Sequence, residues 1–344
     1  MARTGGTGGV MSIERAVEHI LMSVGLKPTD RLVIVGDDAI VRATDELERR
    51  ARALGARCVS FNLDRFGPRP LPRLPDEVSR ALDDCDVVLV MVRAEADDRV
   101  NELQTVRRPI ALHSDSIKHV NMPGVTYEVL ESAMQGDPQE MWAFTRRVFD
   151  AIRGAREILV TGANGTDARF RFDPRRRWVC SSGDYRERFV VKGSNNLPGA
   201  EVYTAPAEAD GTFVVDGVVG DHFAHRYGVI TATPVTLELA GGRVRRIRCA
   251  NAELQAGLER YIRIDENADR IGEFAVGTNR GLTRLLGNML HDEKFPSVHI
   301  AAGSPYPHVT GADWDSDAHC DFITLAPNVE VDGRRIMEAG RHLL

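Results

Sequence analysis

The sequence predicts an α/β N-terminal domain built on a parallel sheet, followed by an α+β domain rich in antiparallel β. Two observations predict this. Through about the first 150 residues, short apolar runs alternate with amphipathic segments, the pattern of strands covered by helices on both faces. After Ala155 the texture changes to strands joined by Gly-rich turns, opening on a hairpin signal. The expected organisation is a tail over 1–12, an α/β domain over 13–155 and an α+β domain over 156–344.

The first helix is expected over 12–25, SIERAVEHILMSVG. Its apolar residues fall at helical spacing, Ser12 is placed to cap it, and Glu14 suits the positive end of the helix dipole. RLVIVG (31–36) reads as a buried strand. An amphipathic helix follows over 40–56, with Gly55 as its stop signal. Strands are expected at 57–63, 86–92 and 108–113, a helix at 76–85, and a long helix over 138–155. The turn after the first strand, VGDDA, has one glycine and two acids. It therefore lacks the Gly-rich turn that a pyrophosphate requires.

In the second half, REILVTGANGTDARFRFDP (156–174) reads as strand, Asn-Gly turn, strand. Further strands are expected within 212–220, 229–249 and 323–336, with helices near 252–268 and 281–292. GDHFAHRYG (220–228) sets His222 and His225 three apart, but its flanking glycines point to a loop.

Composition excludes several classes. The 344 residues carry a formal net charge of −6, which disfavours nucleic acid and anionic membrane surfaces as partners. No apolar run reaches the length of a transmembrane helix, and the N-terminus lacks the apolar core of a secretory signal. The five cysteines are scattered, with no CxxC pair. That fits reduced thiols in the cytoplasm.

The candidate functional residues lie in the second half. In DAHCDF (317–322), His319 and Asp321 share one strand face and Cys320 takes the other. This spacing serves two ligands on one metal ion, and equally a strand with a polar outer face. Glu201 (in NNLPGAEVYTAP), Glu273 (in IGEFAVGTN) and His299 (in VHIAAG) sit beside turns or at strand ends. Singly they read as an exposed acid, a terminal charge and a core histidine. Together, two Glu, two His and one Asp form an O/N donor set suited to Zn²⁺, Co²⁺, Mn²⁺ or Fe²⁺. Five ligands exceed what one catalytic zinc uses, and fit two ions about 3.5–4 Å apart bridged by a carboxylate. Glu293, in HDEK, is a further acid, with a helix-end charge beside Lys294 as its plainer reading. His113 follows a first-domain run and is a candidate for the cleft between domains. Arg175–Arg177 reads as a solvated turn.

These segments resemble the aminopeptidase T family of metallo-aminopeptidases. Leu197 to Pro206 matches its LP-x-x-E-V-x-T-A-P segment, and Gly272 to Asn279 its GE-x-x-x-GTN segment. Asp292 to Tyr306 matches DE-[KN]…H-[IL]-A-x-G-x-x-Y, and His319 with Asp321 matches H-x-D. The resemblance spans roughly residues 155–335. It implies that Glu201, Glu273, His299, His319 and Asp321 bind two divalent ions (Zn, Co or Mn), with Tyr306 adjacent, in a homodimer that encloses its sites. The implied reaction is removal of an N-terminal amino acid from a small peptide or amide by metal-activated water. Glu273 is then the candidate general base, and Tyr306 the candidate donor to the oxyanion.

The first domain and the Tyr306–His319 connection are shorter than in the family's peptidases. Relatives of the same fold act on aromatic rings. One group resembles Fe(II) 2,5-dihydroxypyridine dioxygenases, another an aromatic aminohydrolase, and both use fewer ligands. This chain carries all five, which favours the dinuclear hydrolase. A non-catalytic metal-binding protein is the remaining alternative.

Overall fold

The computed structural model describes residues 13–93, 103–113, 117–134, 136–187 and 195–344. The expected tail, 1–12, and the Ser12 cap lie outside the described residues. The order of elements in the first part is α1 (Ile13–Val24), β1 (Arg31–Gly36), α2 (Val41–Ala53), β2 (Arg57–Asn62), α3 (Asp76–Leu82), β3 (Val87–Val92), α4 (Arg108–Leu112), β4 (Lys118–Pro123), α5 (Tyr127–Ala133) and α6 (Pro138–Ile152).

The four strands form a parallel sheet in the order β2-β1-β3-β4. Its central strands are apolar throughout because both faces are covered. Leu32, Ile34, Leu89 and Met91 pack with Ile20 of α1 and Leu47 of α2. Val33, Val35, Val88 and Val90 face the other way, toward Val78 and Ile110. At the carboxyl ends of these strands the chain's own charges bind one another. Asp37 accepts the Arg93 amide at 2.7 Å, and Asp64 takes the Arg93 guanidinium at 2.9 and 3.1 Å.

The expected strand at 108–113 is instead the helix α4, and the fourth strand is β4. A short apolar run does not distinguish strand from helix, and proline is well tolerated in a helix's first turn, where Pro109 sits. His119 and Asn121 break the apolar signal of β4, so the sequence hides it.

The second part is built from β5 (Glu157–Thr161), β6 (Asp167–Arg171), β7 (Val179–Ser181), β8 (Glu201–Thr204), β9 (Glu208–Val215), α7 (Asp221–Tyr227), β10 (Val235–Ala240), β11 (Arg243–Cys249), α8 (Ala252–Tyr261), β12 (Ile271–Gly277), α9 (Met289–Asp292), β13 (Val298–Gly303), α10 (Pro307–Thr310), β14 (His319–Thr324), β15 (Asn328–Val331), β16 (Arg334–Glu338) and β17 (Arg341–His342). Two antiparallel sheets result, one ordered β11-β10-β9-β6-β5-β15-β16-β17 and one ordered β14-β13-β12-β8-β7. Phe170 and Phe213 of the larger sheet and Phe274 and Phe322 of the smaller share one core. The rings of Phe170 and Phe274 lie 4.9 Å apart. The expected hairpin at 156–174 is β5–β6, turning at Gly165 with φ +98°.

Two local expectations differ. Residues 221–227 are helical, since Gly220 and Gly228 bound a helix rather than a loop. The helix expected over 281–292 shrinks to α9, because the Asp292 carboxylate accepts the amides of Leu286, Gly287 and Asn288 and holds them in a turn. Among the described residues, no helix is long and apolar enough to cross a membrane.

Candidate metal centre

The five-stranded sheet has two chemically opposite faces, and alternation along its strands creates them. Val202, Phe274, Val276, Val298, Ile300, Ala302, Cys320 and Phe322 enter the shared core. The residues between them point the other way. Across the strands, Glu273 pairs with Ala301 and Ala301 with Asp321, while His319 pairs with Gly303. His299 precedes Ala301 by two on β13, and Glu201 opens β8 opposite Gly277. All five expected ligands therefore share one face, and Ala301 and Gly303 leave the space between them open.

Two glycines make this possible. Gly272 is the extra residue of a β-bulge between Ile271 and Glu273. The bulge lets Ile271 face the core while Glu273 faces the site, although the two stand two apart. A side chain on Gly277 would meet the Phe295 carbonyl at 1.9 Å. Its absence lets the segment carrying Glu293 and Lys294 lie against β12.

The side-chain geometry is compact. Glu273 Oε1 lies 3.4 Å from His299 Nε2, and its Oε2 lies 3.8 Å from His319 Nε2. Asp321 Oδ1 is 3.3 Å from His319 Nε2, and Glu201 Oε2 is 3.7 Å from His299 Nε2. Among the described residues, two groups have ligand atoms all within 4.8 Å of one another: Glu201, Glu293 and His299, and Glu273, His299 and Asp321. The donor set fits divalent ions on a further observation. Glu201 Oε2 and both ring nitrogens of His299 are buried with no hydrogen-bond partner. Buried polar atoms are nearly always satisfied, so the orphan pair Glu201 Oε2 and His299 Nε2, 3.7 Å apart, fits a bound cation.

Outer contacts orient the ligands. His319 Nδ1 lies 3.1 Å from the Ser304 carbonyl, a contact that suits an N–H there and leaves Nε2 as the ligand atom. The Tyr261 hydroxyl donates to the His319 carbonyl at 3.1 Å and accepts its amide at 3.2 Å. Tyr306, at φ +50°, lays its ring 4.7 Å from that of His319. A cavity of about 40 Å³ adjoins these groups, with Ser181, Asn196, Tyr203 and Tyr306 among its walls. That is the scale of one or two waters.

The titration behaviour reports a surplus of negative charge. Burial opposes a charged His319, but Asp321, by charge and hydrogen bond, and Glu273 outweigh it and hold its pKa at about 9. His299 is shifted upward in the same sense: burial opposes its charge, and Glu273, Glu201 and Asp321 prevail. Burial drives the Glu293 carboxyl up, with Lys294 opposing and Glu201 and Asp321 adding to the rise. Burial and then Glu273 keep the Tyr306 phenol well above its ordinary value. A site with this field attracts divalent cations.

The structure thus gathers Glu201, Glu273, His299, His319 and Asp321, with Tyr306 beside them and Glu293 above them. It does not bring the other candidates in. His113 pairs with Asp83 at 2.9 Å, and His222 stacks near Tyr261. The arginine run is not simply solvated. Arg175 is exposed against Asp173, Arg176 lies over Trp314, and Arg177 reaches the carbonyls of His308 and Val309. Lys294, Tyr203, Ser181 and Asn196 were not singled out by sequence reasoning. Lys294 and Tyr203 stand inside the motifs that were, whereas Ser181 and Asn196 carry no signal of their own.

No curated protein matches the sequence. The fold is similar to that of wild-type AmpT from Thermus thermophilus, with a TM-score of 0.68 and 18% identity over 96% of this chain and 99% of that one. It is also similar to 2,5-dihydroxypyridine dioxygenase from Pseudomonas putida KT2440, with a TM-score of 0.66 and 16% identity over 96% of each chain. At the level of sequence, the model of one family matches residues 133–340, more than half of the chain and the whole of the site-bearing sheet. The chain belongs to the thermophilic metalloprotease (M29) family.

Proposed function

We propose that this metalloprotease-family chain is an aminopeptidase-type hydrolase that releases an N-terminal amino acid from a small peptide or amide. The observation that carries the reading is Glu273, whose two oxygens face two different imidazoles, His299 and His319. A carboxylate so placed suits a bridge between two ion positions. Glu201, Glu293 and His299 would hold one divalent ion, and His319 and Asp321 the other, with Zn, Co or Mn as the candidates. When bound, such ions polarise the scissile carbonyl and bring water toward ionisation at neutral pH.

The chain's own groups do the rest. Glu273 is the proposed acceptor of the water's proton where it bridges loosely enough to free one oxygen; held firmly by both ions, it serves as the bridge alone. Tyr306 keeps its hydroxyl proton, because burial holds its pKa high, and so can donate to the oxyanion. The short Tyr306–His319 connection supports a compact substrate. Five free cysteines support a cytoplasmic setting, and the acidic net charge supports neither a nucleic-acid nor a membrane partner. A homodimer enclosing the sites completes the reading.

A second reading is a single-metal enzyme acting on a small aromatic ring, favoured by the likeness to the dioxygenase fold. One experiment separates the readings. Elemental analysis of the purified protein is combined with assays on aminoacyl-p-nitroanilides and on hydroxy- and aminopyridines. Two zinc, cobalt or manganese per chain after metal loading, with release of nitroaniline, supports the hydrolase. One iron with O₂-dependent ring consumption supports the second reading. Bound metal with turnover of neither set points to a non-catalytic metal-binding protein.

A further inference from the structure

Lys294 is entirely buried, and its Nζ lies 2.7 Å from Glu201 Oε1 and 2.5 Å from Glu293 Oε1. Lysine is almost never fully buried unless paired. Here both partners are carboxylates that also belong with His299 to one group of candidate ligands. In Glu201 the division is visible atom by atom. Oε1 faces the ammonium, while Oε2 lacks a hydrogen-bond partner and lies 3.7 Å from His299 Nε2.

The backbone fixes this arrangement. The Lys294 amide donates to the His291 carbonyl at 3.1 Å, and its carbonyl accepts the Asn279 amide at 2.9 Å. The preceding turn is held by the three amides that donate to Asp292. The oxygens of Glu273 face His299 and His319 instead, and Asp321 faces His319. Imidazoles bind metal in their neutral form.

A carboxylate that already serves an ammonium offers less charge to a second cation. The ammonium and a divalent ion also repel each other across a few ångströms of low-dielectric protein. We infer that Lys294 makes the two ion positions unequal. The position at Glu201, Glu293 and His299 binds its divalent ion loosely and exchanges it, whereas the position at Glu273, His319 and Asp321 keeps its ion. This inference rests on the two-ion reading above.

The test is metal retention, read independently of activity. Wild type, Lys294→Met, Lys294→Arg and Glu201→Gln are loaded with Mn²⁺ or Zn²⁺, dialysed against metal-free buffer and assayed by elemental analysis, with circular dichroism as the check on folding. Wild type and Lys294→Arg are expected to keep one ion per chain, and Lys294→Met two. In a Zn²⁺ titration, Lys294→Met should tighten the weaker position at least about tenfold. Glu201→Gln should weaken that position and leave the retained ion in place. Equal retention of both ions by wild type, or loss of ions from a folded Lys294→Met, overturns the inference. Should Lys294→Met fail to fold, Glu201→Gln decides, and loss of the retained ion there overturns it. Wild type that takes up no ion under any loading overturns both this inference and the metal reading. Two unequal ions without peptide hydrolysis overturn the aminopeptidase reading alone.

Discussion

His319, Cys320 and Asp321 are consecutive, yet the two outer side chains reach the site while Cys320 is fully buried among Phe274, Ile300 and Phe322. The strand's alternation makes their substitutions differ in kind. Asp321→Ala or His299→Ala should lose metal from one position and leave the fold largely intact, as elemental analysis and circular dichroism would show. Unchanged metal and full activity in either would remove the site as drawn. Cys320→Ala should keep its metal and cost about 1 kcal/mol for the small cavity it leaves, read as a shift in the urea midpoint. His119 offers a residue-scale pH effect away from the metal. It is buried, and neither ring nitrogen has a hydrogen-bond partner. Burial, with Arg107 adding, lowers its pKa from 6.5 to about 4. As pH falls, the unfolded chain therefore takes up this proton first. Stability is intact above 6.5 and is lost progressively as pH falls toward 4, by up to about 3 kcal/mol. Urea melts between pH 7 and 4.5 should show less of this loss in His119→Leu than in wild type. Equal loss in both would assign the acid sensitivity elsewhere.

Elements matter here through what holds them against the sheet. The short helix α10, which follows Tyr306, is clamped by Arg177. The Arg177 amide donates to the Thr310 carbonyl at 2.8 Å, and its guanidinium to Val309 and His308 at 2.6 and 2.8 Å. Arg177→Ala should leave the metal content unchanged, lower stability by about 1–2 kcal/mol, and reduce kcat more than it raises KM, because Tyr306 loses its fixed seat. Arg177→Lys should recover only part of this, since an ammonium cannot reproduce the guanidinium's fork. A kcat equal to wild type in Arg177→Ala would show that the clamp is structural alone. On the other edge, Gly277→Ala forces a methyl group into the Phe295 carbonyl. It should displace the Glu293–Lys294 segment, take Glu293 away from the position at Glu201 and His299, and weaken that position in a Zn²⁺ titration while the other keeps its ion.

For the whole molecule, the site lies under Tyr306, α10 and the Glu293–Lys294 segment, on the face of the smaller sheet that is turned away from the shared core. The cavity left is about 40 Å³. Pro305 and Pro307 fix the backbone on either side of Tyr306, so this cover is expected to stay in place rather than swing. On the proposed reading, in which a homodimer encloses the site, the chamber excludes long chains by sterics. Across a series from dipeptide to hexapeptide, kcat/KM should therefore fall beyond the tripeptide, and compact aminoacyl amides should be turned over. Rates that keep rising with peptide length would reject the closed chamber.

The sequence by itself determined the fold class and the change near Ala155 from parallel to antiparallel β, and it pointed to the candidate ligands within each motif. These depend on local period and residue type: apolar runs for buried strands, an Asn-Gly turn for β5–β6, an H-x-D pair for one face of β14. The tertiary structure decided what no local pattern carries. It turned the apolar run at 108–113 into a helix and made the polar-looking 118–123 a strand, because β3 supplied the hydrogen bonds of that edge. It brought Glu201, Glu273, His299 and Asp321 to a single face across β8, β12, β13 and β14, which depends on register and on the bulge at Gly272. It also buried Lys294 between two acids. On the chain Lys294 is one more charged residue near a helix end. Only the close approach of its segment over Gly277 removes it from water and makes Glu201 and Glu293 its counter-ions.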